Sequence, residues 1–328
     1  MKIFLTGSTG FVGNNLLKKL LKKQYKVTAL VRSKEKAKQI EKLGASVIIG
    51  DITEPESFKD SLNNHDVLIH LAGIRANWGD KDTFFTVNSN ALDNFFKPKT
   101  RIKHIIATSS VYVMGNLKKL PANELSPLLA KDIYGKSKIA AEKVIKQTAK
   151  KYKIPYTIIR PAIIYGPKDN DLGMMVKLIS LIRNKRLPII GNGKNTIHLV
   201  FIDDLTDGYI QAVKKGGNNQ TYIIAGEKPI EIYNLIEMIK KESNISYKNK
   251  HLPKIPMYIG AFVIEHLYKL GMITFPKNMP KEPPLSRQKI DTLFRNWEYD
   301  ITKAQKKLGY KPKVDYQEGI RKTIHFNN

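Results

Sequence analysis

The first strand and the glycine-rich turn that follows it constrain the fold of this chain more than any other feature. A short apolar run at 3–5 leads directly into the sequence Thr-Gly-Ser-Thr-Gly-Phe-Val-Gly at 6–13. The glycines Gly7, Gly10 and Gly13 recur at every third position, and a run with helical periodicity follows them. A strand, a tight turn and a helix N-terminus in this order present backbone amides to an anion, so the segment predicts a site for the pyrophosphate of a dinucleotide.

Apolar runs alternate with helical segments through the first half of the chain, which is typical of α/β proteins with a parallel sheet. After Pro161 the pattern becomes irregular. We therefore predict a Rossmann-type, doubly wound parallel sheet domain at 1–160, continued by about 191–226. A smaller, discontinuous C-terminal substrate lobe is expected to take 161–190 and 227–328. The predicted strands lie at 2–6, 27–31, 46–49, 67–71, 105–109 and 156–160.

The composition favours a soluble protein without a metal. The formal net charge is +27, but the lysines are spread along most predicted helices, which favours a solvated surface over a nucleic-acid site. The chain has no cysteine, and its seven histidines lack metal-ligand spacing, so we expect neither disulfides nor a metal. The chain begins directly in a strand, and no apolar stretch approaches the roughly 18 residues of a membrane helix. We expect a cytoplasmic protein with no membrane span.

The stretch 257–272 is unusually apolar. Its spacing predicts a helix whose apolar side is core, with Glu265, His266 and Lys269 on the solvent side. An interfacial helix, or a lid over an apolar substrate, is the alternative interpretation.

Two side chains suited to proton transfer begin a predicted helix. Tyr134 and Lys138 are four residues apart and so share one helix face. A free tyrosine has a pKa of about 10, which a nearby ammonium and an oxidised nicotinamide ring would lower. The fifth predicted strand ends in Ser109 and Ser110, at the edge where open parallel sheets bind ligands, so one hydroxyl is expected to hold a substrate oxygen against Tyr134. A polar strand end that caps the next turn is the structural alternative.

Taken together, these motifs resemble the extended short-chain dehydrogenase/reductase superfamily, and within it the NAD-dependent epimerase/dehydratase family. The C-terminal part resembles the branch near dihydroflavonol reductases and 3β-hydroxysteroid dehydrogenases. The matching segments are the glycine turn, 50–52, 70–73, 87–88, the paired serines, Tyr134 with Lys138, 160–161, 165–167 and 201–204.

The resemblance implies a role for each matching residue. Tyr134 is the general acid/base, Lys138 binds the nicotinamide ribose and lowers the pKa of the tyrosine, and Ser110 is the catalytic hydroxyl. Asp51 and Ile52 are implied to contact the adenine. The cofactor-binding residues implied by the resemblance are Gly7, Thr9, Gly10, Phe11, Val12, Gly13, Asp51, Ile52, Leu71, Ala72, Gly73, Asn88, Ser109, Tyr134, Lys138 and Pro161.

Several of these residues also have a structural interpretation. Asn88 is implied to support an active-site water network, but it could serve only to satisfy backbone groups. For Asp203 and Arg160 we favour a structural role over a functional one. Asp203 would be an N-cap before Leu205, and Arg160 would be half of an ion pair. Ser109 is the fallback for the catalytic hydroxyl.

The end of the second predicted strand bears on the choice of cofactor. NAD-preferring proteins of this fold place an acidic residue there, whereas an arginine accommodates a 2′-phosphate. This chain has Arg32 at that place and no acid, which favours NADP over NAD. An exposed Arg32 paired with Glu35 is the alternative.

The departures from the family pattern bear on the reaction. Val111 and Tyr112 stand where dehydratases carry an acidic pair, and 195–199 has no arginine for a diphosphate, although Lys194 and His198 could serve. We therefore expect an NADP-preferring oxidoreductase that acts on a secondary alcohol or ketone. A nucleotide-sugar epimerase with tightly bound NAD is the runner-up, and a cofactor-sensing regulator is a third option. The resemblance also suggests a homodimer, to which Phe95, Phe96 and Val144 could contribute if they are not core.

Overall fold

The computed structural model describes residues 1–75, 79–96, 101–169, 173–215, 219–273, 283, 286–287, 290 and 294–326. Its strands, in chain order, are β1 (Lys2–Thr6), β2 (Lys26–Val31), β3 (Ser46–Ile49), β4 (Val67–His70), β5 (His104–Thr108), β6 (Tyr156–Pro161), β7 (Ile163–Tyr165), β8 (Ile189–Ile190), β9 (Thr196–Ile197), β10 (Leu199–Phe201), β11 (Gln220–Ile224), β12 (Ile230–Glu231) and β13 (His251–Leu252).

Seven of these strands form a single parallel sheet with the order β11-β6-β5-β4-β1-β2-β3. Strands β1 to β6 match the predicted apolar runs to within one residue at each end. This order is the doubly wound arrangement in which the chain reverses direction across the sheet between β1 and β4. The prediction of an α/β, Rossmann-type sheet is therefore confirmed, whereas the boundaries of the two lobes stay a prediction.

Helices cover both faces of the sheet. The helices are α1 (Phe11–Lys22), α2 (Lys34–Glu41), α3 (Lys81–Asn88), α4 (Ile133–Tyr152), α5 (Met174–Arg183), α6 (Ile202–Lys215), α7 (Ile232–Glu242), α8 (Lys254–Lys269) and α9 (Tyr316–Phe326). Ile3 and Leu5 of β1 pack in one core cluster with α1 and α6, and Phe4 between them packs in a second cluster with α4. Side chains alternate across a strand, so a strand buried on both faces needs a continuous apolar run.

A buried ion pair ties α4 to β6. Nε and Nη2 of Arg160 donate to the two carboxylate oxygens of Glu142 at 2.8 and 2.7 Å. Both side chains are almost fully enclosed, with 3% and 2% exposure. The structural interpretation of Arg160 is confirmed by this pair.

The apolar face of α8 is exposed rather than buried, so the expectation that 257–272 is core is wrong for this helix. Its enclosed side contains Ala261 and Glu265, and the Glu265 carboxylate accepts hydrogen bonds from the backbone N and Nε of Arg287 at 2.7 and 2.8 Å. Helical spacing shows which residues share a face but not which face a neighbour covers. The exposed apolar side chains include Ile255, Tyr258, Ile259, Phe262 and Val263.

Two smaller expectations are also settled by packing. Asp203 is not an N-cap, because α6 already begins at Ile202 and Asp203 lies in its first turn. Phe95 and Phe96 are 0% and 2% exposed in the second core cluster, and Val144 packs against that cluster. Phe95 and Phe96 are therefore core and support no dimer interface, whereas Val144 is half-buried.

Candidate active site

The glycine turn joins β1 to α1 with a geometry that two of its glycines make possible. Gly7 has a φ of +73°, and a Cβ placed on it would lie 2.7 Å from the backbone N of Ala72. A Cβ on Gly13 would lie 2.0 Å from the carbonyl oxygen of Gly7. Either Cβ would collide with backbone, so only glycine fits at both positions.

Gly10 differs from the other two glycines. A Cβ there would meet only the Gly7 carbonyl, at 3.4 Å, and Gly10 serves as the N-cap of α1 with ordinary extended dihedrals. The space beside it is open, and the first-turn amides of Phe11, Val12 and Gly13 lie where a helix leaves its N–H groups unsatisfied. A dinucleotide pyrophosphate fits this cradle, with Thr9 exposed beside it.

The central strands bring the other predicted residues to the same edge of the sheet. β1, β4 and β5 are neighbours, so the segments after their carboxyl ends converge. Thr6 links two of these segments: its hydroxyl accepts a hydrogen bond from the Ala72 backbone N at 3.2 Å and bonds His70 Nδ1 at 3.0 Å. Leu71 and Ala72 are half-buried, and Pro161 at the end of β6 is buried.

Tyr134 and Ser110 are neighbours, and the Ser110 hydroxyl lowers the pKa of the phenol. Tyr134 lies in the first turn of α4, which Asp132 caps by accepting a hydrogen bond from Gly135 N at 2.8 Å. Burial raises the pKa of Tyr134, and the neighbouring Ser110 hydroxyl and the positive charge of Arg75 oppose that rise. Tyr134 is thus half-buried, and its phenol is beside a hydroxyl and under the influence of a cation.

Lys138 lies one turn further along α4 and is 6% exposed. Its Nζ donates to the Thr108 carbonyl at 3.1 Å, and burial lowers its pKa to about 8. A Cβ placed on Gly73 would lie 3.2 Å from the same Nζ, so this glycine passes close to the ammonium. The Thr108 hydroxyl in turn is 2.6 Å from the hydroxyl of Tyr209, a buried residue that the sequence analysis did not single out.

The two serines point in opposite directions. The Ser109 hydroxyl donates to Glu142 at 2.6 Å, inside the buried ion pair. Ser110 faces Tyr134, and its Oγ also accepts a hydrogen bond from Tyr112 N at 3.2 Å. The fallback assignment of Ser109 and its implied cofactor contact therefore do not fit this geometry, because its hydroxyl is used elsewhere.

Asn88 holds a backbone segment rather than standing free. Its Oδ1 accepts from Ile74 N at 2.7 Å, and its Nδ2 donates to the Ile74 carbonyl at 3.0 Å and to Ser137 Oγ at 2.9 Å. All the polar atoms of the amide are engaged, so the structural interpretation of Asn88 fits the described contacts.

Arg75 is a charged residue near the site that the sequence analysis missed. It is exposed and lies two residues after Gly73, at the ligand edge of the sheet. A usable signal was present, since a cation placed just after the carboxyl end of a central strand lies where ligands bind.

The adenosine end of the predicted cofactor site contains Arg32. Its side chain is 81% exposed, and its Nη1 lies 3.8 Å from Asp51 Oδ2, so its ion-pair partner is Asp51 and the alternative pairing with Glu35 is wrong. The second Asp51 oxygen accepts from Thr53 N at 2.9 Å. Ile52 is 8% exposed and packs in the second core cluster, so its side chain is turned to the core rather than toward an adenine.

His198 is not available for a diphosphate. Its Nε2 is 3.0 Å from the Gly226 carbonyl, its Nδ1 accepts from Tyr299 N at 3.2 Å, and it is 1% exposed. Burial lowers its pKa to about 4. The expectation that His198 could replace the missing arginine is wrong, whereas Lys194 is exposed.

Two further features, metal-binding clusters and membrane-spanning helices, concern the described residues only. No group of three or more His, Asp or Glu side chains is placed to hold a metal ion within that part of the chain. In the same residues, no helix is both long enough and apolar enough to span a bilayer.

The chain is similar to characterised proteins over nearly its full length. It is 25% identical to the 2-alkyl-3-oxoalkanoate reductase of Shewanella oneidensis, over 97% of this chain and 84% of that one. It is 30% identical to the dTDP-D-glucose 4,6-dehydratase of Dictyostelium discoideum, over 98% and 80%. Its fold matches the UDP-glucuronic acid 4-epimerase from Bacillus cereus in complex with NAD, with a TM-score of 0.78, 24% identity and coverage of 99% and 98%.

The model of the NAD dependent epimerase/dehydratase family matches residues 3–225, which is more than half of the chain and includes the glycine turn, Ser110, Tyr134 and Lys138. Sequence, fold and this match agree. The chain belongs to the NAD-dependent epimerase/dehydratase family of the extended short-chain dehydrogenase/reductase superfamily.

Proposed function

We propose that this protein is an NADP-preferring oxidoreductase that transfers a hydride reversibly between NADP(H) and a secondary alcohol or its ketone. The observation that carries the proposal is the position of Ser110 beside Tyr134, with the buried ammonium of Lys138 one helical turn away. A phenol held against a hydroxyl beside a cation is arranged for proton transfer to and from a substrate oxygen.

Each of the three residues has its own task in this reaction. The bound cofactor supplies or accepts the hydride. During reduction, Tyr134 donates its proton to the carbonyl oxygen, and Ser110 holds that oxygen with a hydrogen bond. The charge of Lys138 stabilises the resulting tyrosinate, which regains a proton from solvent. During oxidation, Tyr134 takes the proton from the alcohol.

The preference for NADP rests on Arg32. Its guanidinium is almost fully exposed at the end of β2 and is only loosely paired, at 3.8 Å, with Asp51. The 2′-phosphate on the adenosine ribose of NADP would lie beside this guanidinium. A planar, charged donor binds phosphate better than a site lined by carboxylates does. We expect Arg32→Ala to weaken NADP binding by about tenfold and NAD binding much less. The exposed Arg186 provides a matched control as Arg186→Ala, and equal losses for both cofactors would refute the contact.

The relatives support a reductase and leave one competitor. A relative that covers 97% of this chain is by its name a reductase of 2-alkyl-3-oxoalkanoates. The competing proposal is a nucleotide-sugar epimerase, favoured by the match to a UDP-glucuronic acid 4-epimerase across 99% of the chain. The enclosed His198 and the lack of arginine at 195–199 count against a diphosphate site. Val111 and Tyr112, in place of an acidic pair, count against a dehydratase.

Calorimetric titration with NADP, NAD and UDP-glucose separates these functions. The proposal expects NADP to bind more tightly than NAD, UDP-glucose to give no response, and NADPH absorbance to fall when ketones are added. NAD retained through purification, together with binding of UDP-glucose and no net consumption of NADPH, would favour the epimerase. A homodimer and a cytoplasmic location stay predictions.

A further inference from the structure

We propose that the protein binds reversibly to the surface of membranes that contain anionic lipids, and that the outward face of α8 is the part that enters the headgroup layer. This surface is separate from the candidate active site, and the inference does not depend on the proposed reaction. It takes up one of the alternatives that the sequence left open for 257–272, an interfacial helix.

The outward face of α8 is a long apolar stripe. The helix has 16 residues and is about 24 Å long. Ile255, Ile259 and Phe262 are exposed at intervals of four and three residues, which places them on one side of the helix. Tyr258 and Val263 are exposed beside them. Single exposed apolar side chains are common, whereas a contiguous patch of them is typical of an interaction surface.

The enclosed side of the helix fixes this orientation. Ala261 is fully buried, and Glu265 follows it one turn later. The Glu265 carboxylate accepts hydrogen bonds from the backbone N and Nε of Arg287 at 2.7 and 2.8 Å. Because a charge-assisted pair of this kind is stronger than a neutral hydrogen bond, it holds α8 in one rotation and keeps the apolar stripe outward.

The sequence around α8 supplies positive charge and no exposed acid. Residues 244–273 contain four lysines, two histidines and one acidic residue, Glu265. Since Glu265 is buried, no carboxylate is exposed in this segment, all of which the structure describes. Lys248 and Lys250 are exposed just before α8, and Lys269 is exposed at its last residue. An apolar stripe with cations at both ends is complementary to an anionic bilayer, which offers acyl chains beneath negative headgroups.

The same charges count against a second copy of this chain as the occupant of the face. A two-fold symmetric dimer would set the same patch of both protomers against each other. Lysines of one protomer would then lie near lysines of its partner, and 244–273 provides no exposed carboxylate to pair with them. The formal net charge of +27 adds to this repulsion, whereas it attracts the protein to an anionic surface.

Co-sedimentation with vesicles tests the proposal. The vesicles are phosphatidylcholine alone, or phosphatidylcholine with about one third phosphatidylglycerol, at about 0.15 M salt. The wild-type protein should bind the mixed vesicles about tenfold more tightly than the neutral ones. Ile255→Gln/Ile259→Gln should weaken binding to the mixed vesicles about tenfold, because it removes apolar area without changing the charge. The matched control Ile49→Gln/Leu125→Gln, which replaces exposed apolar residues elsewhere, should bind as the wild-type protein does.

A second pair of variants separates this surface from the general attraction between a basic protein and anionic lipid. Lys248→Gln/Lys250→Gln should weaken binding to the mixed vesicles about fivefold or more. Lys22→Gln/Lys23→Gln removes the same charge from the exposed end of α1 and should weaken it by less than about twofold.

Insertion is measured with a tryptophan placed on the stripe. The fluorescence of Ile259→Trp should be quenched by lipids brominated on their acyl chains, whereas that of Leu125→Trp should not be. This probe decides the question even if the double glutamine variant does not fold.

Three results would overturn the inference: no binding of the mixed vesicles by the wild-type protein, undiminished binding by a folded Ile255→Gln/Ile259→Gln variant, or no quenching of Ile259→Trp. A fourth comes from sedimentation equilibrium without lipid. If the wild-type protein is a dimer that Ile255→Gln/Ile259→Gln converts into a monomer, the face belongs to a second copy of the chain and not to a membrane.

Discussion

Glu142 shows how a single buried carboxylate organises the catalytic end of the sheet. It accepts two hydrogen bonds from Arg160 and one from Ser109, and it is 1% exposed. The pair joins the helix that carries Tyr134 to β6. A buried ion pair contributes little net stability, but loss of one partner leaves the other charge buried without compensation.

We expect Glu142→Gln to lower the free energy of unfolding by about 3 to 5 kcal/mol, because the guanidinium of Arg160 would stay buried. The double variant Glu142→Leu/Arg160→Met should recover most of that loss. Urea denaturation measures both values. A loss below about 1 kcal/mol in the single variant, or a double variant less stable than the single one, would contradict this account.

Local spacing was enough to predict some site residues and not others. Tyr134 and Lys138 were found because an interval of four residues places two side chains on one helix face. Ser110 could not be separated from Ser109 on physical grounds, because the turn after β5 decides which hydroxyl faces α4. Arg75 was missed because it lies outside the segments that match the family, although its place just after the carboxyl end of β4 is where open sheets bind ligands.

At the scale of elements, the turn between β1 and α1 contains one glycine that the fold requires, Gly13, and one that the ligand is expected to require, Gly10. We expect Gly13→Ala to destabilise the protein by about 1 to 3 kcal/mol, because its Cβ would lie 2.0 Å from the Gly7 carbonyl oxygen. Gly10→Ala should leave stability nearly unchanged, since the nearest atom is 3.4 Å away, yet weaken NADP binding at least tenfold. Thermal unfolding and calorimetry measure the two effects.

Gly260 in α8 serves as the control for adding a methyl group. A Cβ there meets nothing within 4 Å, so Gly260→Ala should stabilise the helix by about 0.5 to 1 kcal/mol and leave cofactor binding alone. If Gly10→Ala bound NADP as well as this control, the phosphate cradle would be misplaced.

Helix α8 shows that helical periodicity alone does not predict which face of a helix is packed. The apolar stripe of α8 was expected to be core, but it is exposed, and the Glu265 assigned to the solvent side is buried against Arg287. A carboxylate can be buried when a partner satisfies it, and the sequence carried no signal that paired residues 22 positions apart.

At the scale of the whole molecule, six of the seven strands of the sheet were predictable because they are short apolar runs, most of them buried on both faces, and this pattern is local. The alternation of strands with helices indicated a parallel, doubly wound sheet, whereas the order of its strands came from the structure. The arrangement of the residues after Pro161 was less predictable, since its short strands of two or three residues give almost no periodic signal.

Buried histidines make the stability of the molecule depend on pH. Burial lowers the pKa of His70 to about 3 and that of His104 and His198 to about 4. Below pH 6.5 the unfolded chain binds protons that the folded state does not, so stability is complete above pH 6.5 and falls toward pH 4. At pH 5 each of these three histidines should lower the free energy of unfolding by about 1 to 2 kcal/mol.

Denaturation in urea at pH 7 and pH 5 tests this dependence. His198→Gln, which cannot take up the proton, should show a decline smaller than that of the wild-type protein by about 1 to 2 kcal/mol. The exposed His325, replaced as His325→Gln, is the matched control and should keep the wild-type decline. A decline unchanged in His198→Gln would show that this histidine is not the titrating group.

The proposed reaction requires that Tyr134 exchanges a proton with the substrate. The most direct measurement is the rate of NADPH-linked turnover of wild-type protein and Tyr134→Phe, with NADP affinity measured in parallel by calorimetry. The account predicts that kcat falls by about 100-fold or more while NADP affinity changes little, because only the ionisable hydroxyl is removed. Unchanged turnover with unchanged cofactor binding would contradict it.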